Sequence, residues 1–131
     1  MRRWAIISLL FLNYSVKSQT VINLDTLNLP TQTENIYNKA LFGDSLVSSF
    51  CIVIKNEVKL HKHEHHSEHV FVIDGEGQMS LENKLFTIKK GDLIFIPKNS
   101  IHSVKTTSKQ PLKVMSIQAP IFDGKDRIII K

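Results

Sequence analysis

The chain has 131 residues, which suits a single domain, and 42% of them are hydrophobic, as is ordinary for a globular protein. Its formal net charge is +5 at pH 7, but no basic stripe with interleaved aromatic residues follows the chain, so no nucleic-acid interface is expected. The single cysteine excludes an intrachain disulfide.

Residues 1–18 have the pattern of a secretory signal peptide. Two arginines precede an apolar run from Trp4 to Leu12, and polar residues follow it. This run is too short to span a bilayer, which needs roughly twenty apolar residues, so an uncleaved membrane anchor is the weaker interpretation. We expect cleavage before Gln19, export to the periplasm or out of the cell, and no stable membrane insertion afterwards. Cleavage would remove three basic residues and no acid, so the mature chain would carry a charge of about +2.

The rest of the chain divides into a polar arm and a β-rich region. Residues 19–44 are polar and irregular, and we interpret them as an N-terminal arm with room for a short edge strand. Residues 45–131 alternate short β-rich runs with turn signals and contain no helix-period segment, which predicts an all-β sandwich or barrel. The predicted strands are 46–55, 58–63, 69–73, 78–82, 85–88, 93–96, 101–107, 112–119 and 127–130, with turns at 75–77, 83–84, 91–92, 97–99 and 123–124.

Alternation within these runs predicts which side chains face the interior. Val70 and Val72 share a face with Glu68, so they are expected to form an apolar inner wall beside its carboxylate. Residues 69, 71 and 73 then face a second layer or a partner subunit. Cys51 lies in an apolar run and is expected as a small buried thiol. Gln118 would hydrogen-bond a ligand if its face looks inward, and would otherwise be a polar residue near a strand end.

Five of the six histidines fall within residues 61–69. His61 and His63 are two residues apart in a predicted strand, so their imidazoles share a face as a chelating pair. Glu68 can add a carboxylate after a short loop, and His102 follows a proline turn on a separate strand. Three imidazoles and one carboxylate suit one divalent transition metal ion, such as Fe, Mn, Ni, Cu or Zn. Four protein ligands would leave open positions on an octahedral ion, where a substrate can bind.

The cluster also permits other interpretations. His63 and His65 form a second pair of the same spacing, but only two residues then precede Glu68. If His61 and His63 are the ligands, His65, His66 and His69 are expected as solvated histidines of a loop or rim. The functional alternative is that one of these three histidines lies at the mouth of a pocket, as a proton shuttle or an additional metal ligand. An accidental histidine-rich loop without metal would leave the spacings of Glu68 and His102 unexplained.

In two stretches, the spacing of these residues resembles the two motifs of the cupin family. The first motif, G-x5-HxH-x3,4-E-x6-G, is matched by His61, His63, Glu68 and Gly75. The second, G-x5-P-x-G-x2-H-x3-N, is matched in register by Gly91, Pro97 and His102. With their flanking strands the motifs cover about residues 45–120. The resemblance implies a double-stranded β-helix, a jelly-roll-like barrel, with His61, His63, Glu68 and His102 as its metal ligands.

Three positions depart from the motifs, and none is a ligand. Lys55 replaces the first glycine, which is expected to shift a turn, and Thr106 replaces the final asparagine. Asn99 replaces the glycine after the proline. The turn there requires a positive φ, and asparagine tolerates this conformation better than other non-glycine residues do.

The resemblance leaves the activity open, because cupins include oxygenases, isomerases, epimerases, decarboxylases, lyases and binding proteins. We expect a metal-dependent enzyme of the dioxygenase or isomerase type that acts on a small oxygen-rich molecule, with Glu68 also able to accept a proton. The alternative is an exported module that binds a metal and a small ligand of the saccharide type without turnover. The resemblance further implies a homodimer.

Overall fold

The computed structural model describes residues 21–131, so the predicted signal peptide, residues 1–18, lies outside the described part. A short 3-10 helix, Leu24–Thr26, is followed only by strands. None of the described residues forms a helix with the length and apolar character needed to cross a membrane. The ten strands are β1 (Ile36–Gly43), β2 (Ser48–Ile54), β3 (Glu57–Lys62), β4 (Ser67–Asp74), β5 (Glu76–Leu81), β6 (Lys84–Lys89), β7 (Leu93–Ile96), β8 (His102–Thr106), β9 (Leu112–Ala119) and β10 (Ile128–Ile129).

The strands form two five-stranded antiparallel sheets that enclose one core. The first sheet has the order β1-β2-β9-β4-β7, and the second has the order β10-β3-β8-β5-β6. Strands close in sequence alternate between the sheets, as in a jelly roll, which confirms the predicted all-β barrel. The core lies between the sheets, where Val72, Ile96 and Leu112 are at most 2% exposed.

The predicted strands all form, with small shifts at their ends. β5 begins at Glu76, so Gly75 alone makes the turn that was predicted over residues 75–77. The turn of the next hairpin lies at Glu82 and Asn83 rather than at residues 83–84. β10 is shorter than the predicted run 127–130. Each difference amounts to one or two residues, because side-chain alternation continues through a strand end and does not locate it.

The polar arm contributes to the first sheet. Its C-terminal part forms the eight-residue edge strand β1, which pairs with β2 and is longer than the short edge strand expected there. Lys113, on β9, donates its ammonium protons to the carbonyl oxygens of Leu24 and Leu27. The side chain of Asn35 accepts the N–H groups of Asn56 and Glu57 and donates to the carbonyl of Glu57. The arm is therefore fixed to the barrel by hydrogen bonds at two places.

Two left-handed positions fix the turns that flank the histidine motifs. Gly75 has φ +81°, and a Cβ atom there would lie 2.7 Å from the carbonyl oxygen of Pro111, so a larger residue would collide with the backbone. Asn99 has φ 64°, which confirms the positive φ predicted for the proline turn. Its N–H donates to the carbonyl oxygen of His63 at 2.6 Å. This bond joins the two histidine motifs directly.

Candidate metal centre

The structure brings the four predicted ligands together inside the barrel. His61, on β3, lies directly opposite His102, on β8, and His63 follows one residue after the end of β3. Glu68 faces them from β4 in the other sheet. One ligand atom from each histidine lies within 4.8 Å of the others, and all four side chains are buried. Oε2 of Glu68 is 3.5 Å from Nε2 of His63 and 3.6 Å from Nε2 of His102.

Each of the three imidazoles is held through Nδ1 by a backbone carbonyl. Nδ1 of His61 is 2.8 Å from the oxygen of Lys59, and Nδ1 of His102 is 2.9 Å from the oxygen of Ser100. Nδ1 of His63 bonds to the carbonyl oxygen of Asp126. Because a carbonyl oxygen can only accept, each Nδ1 must carry the proton and donate it. The lone pair of each neutral ring is therefore on Nε2, the tautomer in which a histidine binds metal through that atom.

The carboxylate of Glu68 is ionised and supported by hydrogen bonds. Burial alone would raise its pKa, but interactions with His102 and His63 and the hydroxyl of Ser116 hold that pKa well below its usual range. Ser116 donates to Oε1 of Glu68 and in turn accepts a bond of 3.0 Å from Nε2 of Gln118. Of the two alternatives left open by the sequence, Gln118 takes the inward-facing one and lies beside the carboxylate.

The electrostatics of the imidazoles differ between the two sides of the cluster. Burial, with the neighbouring His102, lowers the pKa of His61 to about 3, so this ring is neutral at neutral pH. Burial also acts to lower the pKa of His63, but the adjacent Glu68 and Asp126 outweigh it and raise that pKa. The cluster thus places a neutral imidazole, His61, and a proton-retaining one, His63, beside one anionic carboxylate.

These residues fit a divalent transition metal ion. Three Nε2 lone pairs and a carboxylate are donors that borderline divalent ions accept. Among the described residues, four buried side-chain atoms lack a hydrogen-bond partner: Nε2 of His102, Oε1 of Gln118 and both ring nitrogens of His66. Such atoms are costly unless another group satisfies them. An ion at Nε2 of His102 would remove that cost.

The remaining histidines divide between the surface and the interior. His65 and His69 are exposed, as expected, and the alternative pair of His63 with His65 is not brought together. The prediction was wrong for His66, which is 1% exposed. Its ring packs against those of His63 and Phe122, at centroid distances of 4.2 and 5.5 Å. Sequence alternation could not reveal this, because Phe122 comes from a distant loop.

Asp126 connects this loop to the C-terminal segment and was not recognised from the sequence. Its Oδ1 accepts the N–H of Glu64 at 2.8 Å, and its Oδ2 accepts those of His65 and His66 at 2.8 and 3.2 Å. Nδ1 of His66 also lies 2.8 Å from Oδ2, within ion-pair distance but outside hydrogen-bond geometry. The carboxylate is 7% exposed, and its pKa is held below the usual range because these N–H donors outweigh the effect of burial.

His63, His66 and Asp126 lie close enough together to suggest a second metal site. The hydrogen bonds argue against it, because the Asp126 carboxylate already accepts three N–H groups and Nδ1 of His63 is engaged with a carbonyl. We call this arrangement the Asp126 clamp: the carboxylate and carbonyl of Asp126 with the backbone of residues 64–66 and the ring of His63. It holds one candidate ligand of the main cluster in place.

A cavity of about 190 Å³ opens beside the cluster. Core side chains such as Ile54, Val70 and Leu112 form its walls, which confirms the predicted inner wall at Val70. Polar groups line it near the four candidate ligands, and these include Gln118 and Arg127. Cys51 is buried away from this cavity at 1% exposure, as predicted.

Residues 50–118 match the family model described as the cupin domain, which covers more than half of the chain. This protein is a cupin. Among curated relatives, it is 31% identical over 80 residues to the protein MJ1618 of Methanocaldococcus jannaschii, an alignment that spans 61% of this chain and 64% of the relative. It is also 31% identical to the mannose-1-phosphate guanylyltransferase RfbM of Salmonella typhimurium, over 60% of this chain but only 17% of that enzyme.

The cupin fold extends over most of the described chain. The solved structure of KdgF from Halomonas sp. superposes with a TM-score of 0.71 at 18% sequence identity, covering 82% of this chain and 97% of that one. At this identity the likeness shows the fold alone.

Proposed function

We propose that this cupin holds one divalent transition metal ion at His61, His63, Glu68 and His102 and acts as an enzyme of the dioxygenase or isomerase type. The observation that carries the proposal is the common tautomer of the three clustered histidines, which leaves each Nε2 free to bind an ion, with those of His63 and His102 beside the ionised carboxylate of Glu68. The adjacent cavity provides room for a small substrate.

The proposed substrate is a small oxygen-rich molecule. A divalent ion in this position would supply Lewis-acid chemistry toward an oxygen atom of that molecule. Gln118 would orient it, because its unpartnered Oε1 can accept a hydrogen bond from a hydroxyl group. Apolar walls would exclude water from the reacting end. The match to a mannose-1-phosphate guanylyltransferase, although limited to a small part of that enzyme, supports a ligand of the sugar type.

A specific observation favours the alternative, a cupin that binds a metal and a saccharide-type ligand without turnover. Glu68 is the only acidic side chain among the described residues that line the cavity. Its pKa is held low by His102, His63 and Ser116 against the effect of burial, which makes it a good metal ligand and a weak proton acceptor. An enzyme that needs a strong general base would have to obtain it elsewhere.

Export also belongs to the proposal, and its support is the pattern of residues 1–18. The mass of the protein recovered from the extracytoplasmic fraction is the direct test. A chain that begins at Gln19 is the expected result, and a chain that retains residues 1–18 would contradict it.

Metal analysis tests the centre. The protein is expected to contain about one transition metal ion per chain by elemental analysis after reconstitution and desalting. The His61→Ala/His102→Ala variant should retain little metal, because it loses two of the four ligands. The His65→Ala/His69→Ala variant is the matched control, since both of its histidines are exposed, and it should bind like the native protein. Equal metal in all three proteins, or none in the native protein, would overturn the assignment.

Enzyme and binding module differ in what accompanies metal binding. If the protein is an enzyme, it forms product, and the His61→Ala/His102→Ala variant does not. Native protein depleted of metal should also form no product until metal is added back. The binding module requires thermal stabilisation by the same compounds with no product. Screening small hydroxy acids and sugars by both readouts on one metal-loaded sample separates the two.

A further inference from the structure

Arg127 stands apart from the other basic residues of the chain. It is the only arginine after residue 3, whereas lysines occur throughout. Lysine is sufficient for a solvated surface charge, but arginine presents a planar fork that binds carboxylate or phosphate oxygens in pairs. A single arginine at the mouth of the cavity is therefore suited to binding an anionic group of a ligand.

The pairing of β10 brings Arg127 close to the histidine cluster. β10 is an edge strand that pairs with β3, with Ile129 opposite His61, and Arg127 directly precedes it. Arg127 lines the cavity together with the candidate metal ligands.

The segment that carries Arg127 is fixed on both sides. The Asp126 clamp holds the residue before it, and the N–H of Ile130 donates to the carbonyl of Leu60 at 3.0 Å. The N–H of Arg127 itself bonds to the carbonyl of Lys125 at 2.8 Å. The main chain at Arg127 is thus anchored, while its side chain is exposed at the cavity mouth.

The charges at this end of the cavity favour an anion. Arg127 is the only lysine or arginine among the described residues that line the cavity, and Glu68 is the only acid. No ion pair joins Arg127 to an acidic side chain within residues 21–131. If the proposed function holds, the divalent ion and Arg127 together exceed the charge of Glu68 by two. An anionic ligand would balance this excess.

The cavity volume limits the size of that ligand. A water molecule occupies about 30 Å³ in the liquid, so 190 Å³ accommodates a molecule of roughly six to ten non-hydrogen atoms. Gln118 also lines the cavity, and its unpartnered Oε1 can accept a hydrogen bond from a hydroxyl group of the same molecule.

We propose that the ligand is a small hydroxylated acid, whose carboxylate or phosphate group is bound by Arg127 while its remaining oxygens face Gln118 and the metal centre. This inference rests on the proposed function for the metal-facing end of the ligand. The anion-binding end rests on Arg127 alone and can be tested separately.

The test compares three probes of similar size by calorimetric titration: glycerol, glycerate and glycerol 3-phosphate. The metal-loaded native protein should bind at least one of the two acids about tenfold more tightly than glycerol, because hydrogen bonds between a guanidinium and an anion are stronger than those between neutral groups. The preferred acid identifies the anionic group as a carboxylate or a phosphate. No preference for either acid over glycerol would overturn the proposal.

Variants assign this preference to Arg127. In Arg127→Gln, the affinity for the preferred acid should fall about tenfold, to near that for glycerol. Arg127→Lys should keep part of the preference, since an ammonium keeps the charge without the paired geometry. Lys125→Gln is the matched control, because Lys125 is an exposed cation two residues away that does not line the cavity, and it should bind like the native protein. Native-like acid binding by Arg127→Gln would contradict the proposal.

Metal content, measured on every sample, separates this inference from the proposed function. If the native protein holds no metal, the proposed function fails, and the same titrations on the metal-free protein still compare native Arg127 with Arg127→Gln. If metal is held and Arg127→Gln binds acid normally, only the role of Arg127 fails.

Discussion

The orientation of each histidine in the candidate centre depends on a main-chain oxygen. For His61 and His102 the oxygen belongs to the residue two positions earlier, Lys59 and Ser100, so the same local arrangement occurs on two strands. For His63 it belongs to Asp126, which is distant in sequence. A carbonyl cannot be removed by substitution, so these orientations depend on backbone position and not on a replaceable side chain.

The low pKa of His61 predicts a pH dependence of stability for the metal-free protein. The folded chain takes up a proton at this ring only near pH 3, because burial and the neighbouring His102 disfavour the charge, whereas the unfolded chain does so near 6.5. Between these values the unfolded state binds more protons, so the free energy of unfolding should fall as the pH falls from about 6.5. Glu68, whose pKa is also depressed, adds a loss of the same sign at lower pH.

Urea titrations of metal-free protein at pH 7 and pH 5 measure this effect. The native midpoint should be lower at pH 5, and His61→Gln should show a smaller difference between the two pH values because it removes the titrating group. His63 acts in the opposite sense, since its raised pKa stabilises the folded state as the pH falls toward 6.5, above the window of His61. An identical pH response in native protein and His61→Gln would refute the assignment to His61.

At the scale of elements, the C-terminal segment completes the site that the histidine motifs begin. The strands that carry His61 and His102 were predictable, and so was most of β4, although the predicted strand began one residue after Glu68. Alternation and turn signals are local, and the motif spacings fall within two short stretches. Asp126 and Arg127 were not predictable, because their partners are brought near only by the folded barrel. The one local sign was compositional: Arg127 is the only arginine after residue 3, in a region otherwise supplied with lysines.

Removal of the Asp126 carboxylate should destabilise the loop and weaken metal binding together. Asp126→Ala leaves three N–H groups of residues 64–66 without their acceptor, and buried unsatisfied groups cost about 1–3 kcal/mol each. We expect a loss of about 2–4 kcal/mol in the free energy of unfolding. Metal affinity should fall about 10- to 100-fold, as it does when groups that orient a ligand are lost.

Asp123→Ala is the control for this experiment, because Asp123 is exposed and its carboxylate accepts only the N–H of Lys125 within the same turn. Urea unfolding and a competition titration with a metal chelator give the two quantities. A destabilised Asp126→Ala that retains native metal affinity would show that the clamp supports the fold without positioning His63.

At the scale of the whole molecule, the N-terminal arm belongs to the first sheet and extends one of its two edges. The arm lies against β9 of the first sheet through Lys113, and β1 extends the same sheet beyond β2. Beyond the other edge of that sheet, no further strand pairs with β7 within the described chain. Local pattern predicted β9 and the polar character of the arm, but β1 was underestimated because its outer residues are exposed and its alternation is weak.

The expected homodimer would use the outer face of β4 and β7. Phe71, Leu93 and Phe95 are 38%, 65% and 51% exposed there, and the unpaired edge of β7 could pair with its copy in a self-complementary way. Phe95→Glu should convert the dimer to a monomer in sedimentation velocity, since it places a charge in the apolar contact. Leu85→Glu, at a 70% exposed position on the second sheet, should leave the dimer intact. A native protein that sediments as a monomer would contradict the proposal.

The placement of the four candidate ligands has a consequence for the order of events during folding. β3 meets β8, and β4 meets β7 and β9, so none of these pairings is a local hairpin, and Glu68 lies in a different sheet from His61. Such non-local pairings form slowly and late. A nascent chain would therefore offer no assembled chelate to an ion, unlike small domains whose metal nucleates them. Metal would be acquired after the barrel has closed, so the ion carried would reflect what the finished protein first encounters.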